Sequence, residues 1–238
     1  MTVVALCAVA TLLFAQAVAR LRRRGRPDLA DWPRVVFFAA GIALMPVALI
    51  VLDTQADSNL AVHMTQHVLI GDVAAALLVL SVRGPLALFV LPAPVLRPLA
   101  RTPLRKLVRP KVAYVLWAAN LGIWHVPWLY DVALRHDAVH YAEHACWVTA
   151  GLLVWTVLLD DRRRVGQRVA LAAAMFASGQ VLTDVLVFTF HPLYAAYPSV
   201  REQQLAGVVM MTEQVVTLGT LTFALLRPRL RPFRAVAA

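Results

Sequence analysis

Histidines are the residues of this chain best placed to do chemistry, because their spacing brings several imidazoles onto common helix faces. His63 and His67 form one pair with HxxxH spacing, and His140 and His144 form a second pair. Residues four apart lie on one face of a helix, so each pair can direct two rings at one ligand. Imidazole is the commonest protein ligand for transition metals, and two such pairs predict a metal site.

Three further histidines complete the set of seven. His125 and His191 fall near the ends of apolar segments, on the same side of a predicted membrane as the two pairs. Ionisable residues within a membrane are functional candidates by default. His136 also falls on that side, but it lies in a predicted loop, where we expect an ordinary solvated side chain.

Other potential donors accompany the histidines. Glu143 lies inside the second pair, Asp184 precedes His191 by two helical turns, and Met210 shares a helix face with Glu213. A carboxylate can bind a metal directly or orient an imidazole, and a thioether adds a preference for Cu(I). The predicted metal ligands are therefore six histidines, with two carboxylates and one methionine as further ligands or orienting groups: His63, His67, His125, His140, His144 and His191, with Glu143, Asp184 and Met210.

The predicted ligands sort into two depths. At about 1.5 Å per residue, four of them lie roughly 9 Å below the ends of their segments, and the others lie nearer the surface. The deeper four are His67, His144, Asp184 and Met210. Two metal positions, or one outer site above one deeper site, would both fit this layering.

The elements that position these residues are membrane-spanning helices. The chain is 61% hydrophobic and 15% charged, and its mean hydropathy is +0.69. Apolar stretches near the bilayer-spanning length should be helical, because lipid cannot hydrogen-bond a bare backbone. We therefore expect one all-α, polytopic membrane domain over residues 1–238, with seven helices at 3–19, 35–52, 61–82, 112–128, 138–159, 169–190 and 204–226.

The basic residues predict the orientation of these helices. All but two of the 23 Lys and Arg residues follow the first, third, fifth and seventh segments, the exceptions being Arg135 and Arg201. The positive-inside rule then places the N-terminus outside the cell membrane, the C-terminus in the cytoplasm and the histidines at the outer face. The net charge of +10 thus reflects topology and lipid contact, and no basic patch interleaved with aromatics indicates nucleic-acid binding. The proline-rich interruption from Arg83 to Lys111 is expected to lie on the cytoplasmic surface.

Several functions use such a site. Copper is the expected metal, with zinc and haem as alternatives. A zinc-dependent seven-helix hydrolase could use Glu143 or Asp184 as its base, although Ser178 lies near mid-helix, away from the outer histidines. A b-type haem protein would use histidine pairs as axial ligands. A copper transport or resistance protein would use the same histidines as copper ligands. A retinal Schiff base is excluded, because Lys106 and Lys111 both lie outside the predicted helices.

Several stretches resemble the multi-spanning CtaG-type cytochrome c oxidase assembly factors. The resemblance covers roughly residues 35–226. The chain departs from the family at Glu202-Gln203 and Ala206-Gly207, where members tend to carry Asp-Gln and paired glycines, and near Met211, where they often carry tryptophan. The resembling stretches are His63-Met64-Thr65-Gln66-His67, the run from Trp124 to Asp131, His140, Glu143-His144, Gly151, His191-Pro192 and the run from Glu202 to Gly207.

The resemblance implies a non-enzymatic role in the maturation of a haem-copper oxidase. The expected partners are a cytochrome c oxidase subunit or another copper chaperone, within the lipid bilayer. Copper binding itself is an expectation from the histidine chemistry. In this interpretation four histidines are the principal ligands, and His125 and His191 complete or gate the site; the four are His63, His67, His140 and His144.

Overall fold

The chain folds into helices that overlap all seven predicted segments. The computed structural model describes residues 2–90 and 106–230, and these residues form no strand. We number the longer helices α1 to α8. They are α1 (Thr2–Arg23), α2 (Trp32–Pro46, continuing through Val47–Leu52 and Asp53–Ala56), α3 (Leu60–Val82), α4 (Pro110–Trp124), α5 (Pro127–Arg135), α6 (Asp137–Leu158), α7 (Val165–Phe188) and α8 (Val200–Leu230).

Five of these helices are long and apolar enough to cross a membrane. They are the helical stretches Thr2–Arg23, Pro27–Ala56, Leu60–Val82, Val165–Phe188 and Val200–Arg227. Of the other two predicted spans, α4 has 15 residues, and α6 has 22 residues with polar side chains in its first two turns. Large apolar side chains are exposed on the outward surfaces of the helices, as on Leu12 and Val181. Such a surface suits contact with lipid.

The fourth predicted helix ends earlier than expected. The prediction extended it to residue 128, whereas α4 ends at Trp124 and His125 is its C-terminal cap. Val126 is extended and Pro127 begins α5, because a residue that precedes proline is held away from the helical region. The residues after α4 thus form a separate short helix, α5, which the prediction lacked. Most of the predicted surface stretch between Arg83 and Lys111 lies outside the described residues.

Helices α3 and α6 cross at two glycines. A Cβ on Gly151 would overlap the backbone carbonyl of Gly71, and a Cβ on Gly71 would lie 3.3 Å from the Trp147 ring. Small residues at a crossing let two membrane helices approach closely. His67 lies one turn before Gly71, and His144 lies two turns before Gly151. The crossing therefore sets the separation of the two histidine pairs.

Helix α3 lies at the centre of the protein, in contact with α2, α6 and α8. Its regular winding is interrupted by a π-helical segment, Leu69–Val73, which directly follows the histidine pair. A second π-helical segment, Val47–Leu52, follows Pro46 in α2. Such π-helical insertions are frequent at functional sites. The first helix belongs to a separate apolar cluster, in which the rings of Phe14 and Phe38 are stacked with their centroids 4.0 Å apart.

Candidate metal centre

Four histidines from two helices form a compact cluster. His63 and His67 extend from α3, and His140 and His144 extend from α6. One ring nitrogen of each lies within 4.8 Å of the corresponding nitrogens of the other three. His63, His67 and His144 are buried, whereas His140 is half-buried. We call these residues the four-histidine cluster.

The start of α3 sets the position of its histidine pair. The Asn59 side chain accepts a hydrogen bond from the backbone N–H of Val62 at 3.1 Å, which caps the helix. An asparagine in this position satisfies one of the unpaired N–H groups of the first turn. The pair then falls in the first two turns of α3. Between its members, Gln66 Nε2 donates to Asp53 Oδ1 at 2.9 Å and to the Ala48 carbonyl at 3.0 Å, which ties α3 to α2.

A hydrogen-bond chain fixes the tautomer of His63. Tyr197 Oη donates to the Ala56 carbonyl at 2.6 Å, so its single proton is already used. His63 Nδ1 lies 3.0 Å from the same oxygen and must therefore be the donor in that contact. Its Nε2 therefore carries a lone pair, which faces the cluster. Metal-binding histidines are commonly oriented by such a bond through their other ring nitrogen.

Two ring nitrogens meet within the cluster. His63 Nε2 and His67 Nε2 lie 3.0 Å apart. Because His63 Nε2 carries a lone pair, this contact is a hydrogen bond donated by His67 Nε2–H, and a metal ion held by both nitrogens would take the place of that proton. For comparison, ligand atoms about 2.0–2.1 Å from a tetrahedral metal ion are roughly 3.3 Å apart. The pair is thus already close to the separation that a shared metal ion requires.

Buried polar atoms around the cluster lack hydrogen-bond partners among the described residues. They include both carboxylate oxygens of Glu143 and the Nε2 atoms of His140 and His144. Glu143 is 1% exposed, and its Oε1 lies 3.6 Å from His67 Nε2. A buried carboxylate without donors is costly unless a positive charge compensates it. A cation held by the four imidazoles would supply that charge.

Three buried tyrosines pack against the four-histidine cluster. The Tyr130 ring lies 5.2 Å from that of His63 and 4.3 Å from that of Tyr194, and Tyr197 contacts His63 directly. The sequence by itself predicts an ordinary interfacial belt from six aromatic residues, which are Trp124, Trp128, Tyr130, Tyr141, Tyr194 and Tyr197. That interpretation fits Trp128 and Tyr141, which are exposed, but not the three tyrosines, which are almost completely buried.

The loop between α7 and α8 carries two of these tyrosines and is held in place by side chains. Gln203 Oε1 accepts from the Leu193 N–H at 2.9 Å, and its Nε2 lies 3.3–3.4 Å from the carbonyls of Thr189 and His191 in the loop and of Leu186 in the last turn of α7. Asp131 accepts from the backbone N–H groups of Ala195 and Ala196. Burial is the largest cause that raises the pKa of Tyr194 and Tyr197, and nearby carboxylates raise it further. Both hydroxyls therefore keep their protons at neutral pH and remain donors.

Comparison with known proteins decides the family of this chain. The sequence pattern described as "Cytochrome c oxidase caa3 assembly factor (Caa3_CtaG)" matches residues 12–231, which is nearly the whole chain. The chain belongs to the caa3 assembly factor family. No curated protein and no solved structure matches it significantly. The four-histidine cluster, the tyrosines and the glycine crossing all lie within the part of the chain that carries the family pattern.

The structure does not bring every predicted ligand of this caa3 assembly factor to the cluster. Asp184 is exposed and accepts from Gln180 Nε2 at 2.7 Å. His191 is exposed as well, because α7 ends at Phe188 and the predicted helical spacing from Asp184 to His191 does not exist. His136 is also exposed, as expected. His125 and Met210 are buried near His67, around a neighbouring cavity.

Removing the hydroxyl of Tyr197 tests its role in orienting His63 in this family member. In Tyr197→Phe, the Ala56 carbonyl and His63 Nδ1 lose their partner, and the ring is free to turn. Loss of such an orienting bond typically costs a factor of about 10–100 in metal affinity. We expect a decrease of that size in a competitive Cu(I) titration. Tyr141→Phe, at a residue that is 69% exposed, is the matched control and should bind as the unaltered protein does.

Proposed function

We propose that the protein is a non-enzymatic assembly factor that holds copper and helps to load a cytochrome c oxidase subunit. Its family supports the role in oxidase assembly. The observation that carries copper binding is the four-histidine cluster, in which His63 presents Nε2 and the buried Glu143 has no donor among the described residues. Copper here is the cargo. Four neutral imidazoles beside one carboxylate suit a copper ion in charge and in donor type.

In this proposal the chain crosses the cell membrane seven times. The N-terminus lies outside, the C-terminus lies in the cytoplasm, and the cluster opens toward the outer face. The strongly one-sided distribution of Lys and Arg supports this orientation. The half-buried His140 is the member of the cluster nearest to solvent, which suits a site that receives its metal from outside. A copper chaperone could deliver the ion there, and an oxidase subunit could accept it.

Two alternatives have weaker support. Haem would need a pocket with a volume of several hundred Å³, which is typical of ligand sites. The cavity beside the histidines has a volume of about 20 Å³. A zinc hydrolase would need a nucleophile or a base at an open metal position. Ser178 is engaged with Tyr114 Oη at 2.7 Å, and the exposed Asp184 lies outside the cluster. Glu143 is the carboxylate beside the cluster, with Oε1 3.6 Å from His67 Nε2, and this position suits charge compensation.

Complementation in cells tests this function. Deletion of the gene should lower cytochrome c oxidase activity in membranes, and the unaltered gene should restore it. We expect His67→Ala/His144→Ala to insert normally, as judged by immunoblotting of membranes, and to leave the activity low. His136→Ala/His191→Ala removes two exposed histidines and should restore the activity fully. Full restoration by the first variant would remove the cluster from the mechanism.

A further inference from the structure

A small cavity adjoins the four-histidine cluster on its deeper side. It has a volume of about 20 Å³, which is enough for one water molecule or one metal ion. Val68 and Asp72 follow His67 along α3 and line this cavity, so it lies further from the start of α3 than the cluster does. His67 belongs to both. The side chains that line the cavity and carry atoms able to bind a metal are Met64, His67, Asp72, His125, Met210, Glu213 and Gln214.

His125 presents a free nitrogen at this cavity. Its Nδ1 lies 2.7 Å from the Leu121 carbonyl, which can only accept, so Nδ1 carries the proton and Nε2 carries the lone pair. The side chain is 7% exposed, and its Nε2 is buried without a partner among the described residues. An imidazole that is anchored through one nitrogen and presents a lone pair on the other is the usual arrangement of a metal-binding histidine.

Met210 supplies a donor of a different kind. It extends from α8 and is 4% exposed, whereas the neighbouring Met211 is 37% exposed. Imidazole and thioether together favour Cu(I). Asp72 and Glu213 line the same cavity, and a negative charge there compensates a cation in the low-dielectric interior. The four-histidine cluster has no sulfur ligand, so the cavity offers a softer set of donors.

We propose that this cavity is a second, inner Cu(I) site, with His125 Nε2 and Met210 Sδ as ligands. His67 lines both sites and binds one ion at a time, since a neutral imidazole has one lone pair; with both sites filled, the other three imidazoles hold the ion in the cluster. This inference rests on the copper binding proposed above. Copper would pass inward by ligand exchange: bonds to the cluster nitrogens break as bonds to His125 and Met210 form. The ion stays Cu(I) throughout, so the transfer needs neither an oxidant nor a reductant. The cluster is then the receiving site, and the cavity is the site from which a membrane-embedded partner would be loaded.

Stoichiometry and sulfur ligation test the inner site. The full chain, purified in mild detergent with Cys7→Ser and Cys146→Ser to remove thiols, is titrated anaerobically with Cu(I) against a chromophoric chelator. Copper X-ray absorption of the loaded protein then detects sulfur ligands. We expect two Cu(I) per chain and a sulfur ligand in this background. Met210→Leu and His125→Ala should each bind one Cu(I), and Met210→Leu should lack the sulfur signal.

The controls separate this proposal from the proposed function. Met210→Leu nearly conserves side-chain volume, and such substitutions are usually tolerated in a packed core. Met211→Leu, at the adjacent exposed methionine, should still bind two Cu(I) with sulfur ligation. One Cu(I) per chain, unchanged by Met210→Leu, would overturn the inner site and leave the four-histidine site standing. A sulfur signal that persists in Met210→Leu would assign the sulfur ligand to Met64, the other methionine that lines the cavity, and would overturn the assignment to Met210. No Cu(I) binding at all would refute copper binding by the protein.

Discussion

Replacing His67 and His144 together by alanine is expected to abolish tight Cu(I) binding at the four-histidine cluster. The variant removes one imidazole from each helix, so neither HxxxH pair remains complete. Apparent binding free energies of structural metal sites are about 10–16 kcal/mol for four ligands, or roughly 3 kcal/mol per ligand. Losing two ligands should therefore lower the affinity by about 10⁴-fold. The measurement is competition with a chromophoric Cu(I) chelator of known affinity.

The control for this variant removes the same number of imidazoles from the surface. His136→Ala/His191→Ala leaves the cluster intact, because both side chains are exposed and lie outside it. Its affinity should equal that of the unaltered protein. An affinity loss of similar size in both double variants would show that copper binds to histidines generally, and would contradict the site described here.

Substitution of Gly151 by alanine is expected to disrupt the site without touching any donor atom. The new Cβ would overlap the Gly71 carbonyl, so α3 and α6 must move apart. Overpacking of this kind typically costs about 1–3 kcal/mol of stability. Since each helix carries one histidine pair, their separation should also weaken Cu(I) binding. The prediction is a lower Tm in detergent together with reduced Cu(I) affinity.

Gly122 is the matched control for this crossing. It lies in α4, and a Cβ built there meets nothing within 4 Å. Gly122→Ala should keep the Tm or raise it slightly, because alanine is the better helix former by about 1 kcal/mol. If Gly151→Ala kept both the Tm and the Cu(I) affinity of the unaltered protein, the glycine crossing would not be what positions the two histidine pairs.

The parts of this architecture that depend on local periodicity could be predicted from the sequence. His63 and His67 share a helix face whatever the rest of the chain does, and so do His140 and His144. The all-α fold follows equally from the long apolar runs. That the two pairs should meet was only a hypothesis from their common side of the membrane, because helix packing is a non-local property. The Gly71–Gly151 crossing supplies that contact.

The features of the site that could not be predicted from the sequence depend on where the helices end and on the path of the loops. Asp184 and His191 share a face only if α7 continues through both, and it ends at Phe188. Tyr194 and Tyr197 lie in a loop whose path is set by the amide of Gln203 and the carboxylate of Asp131. Helix periodicity does not predict where the side chains of a loop lie relative to a site. Two tyrosines between His191 and the last helix were the available signal, and they are equally typical of an interfacial belt.

The metal content of the native protein tests the central claim most directly. The full chain would be purified in mild detergent without added metal, then analysed by elemental mass spectrometry and by a visible absorption spectrum of the same sample. We predict at least one copper per chain and no Soret band. Stoichiometric zinc, a Soret band, or a protein that contains no metal and does not bind Cu(I) in titration would contradict the account.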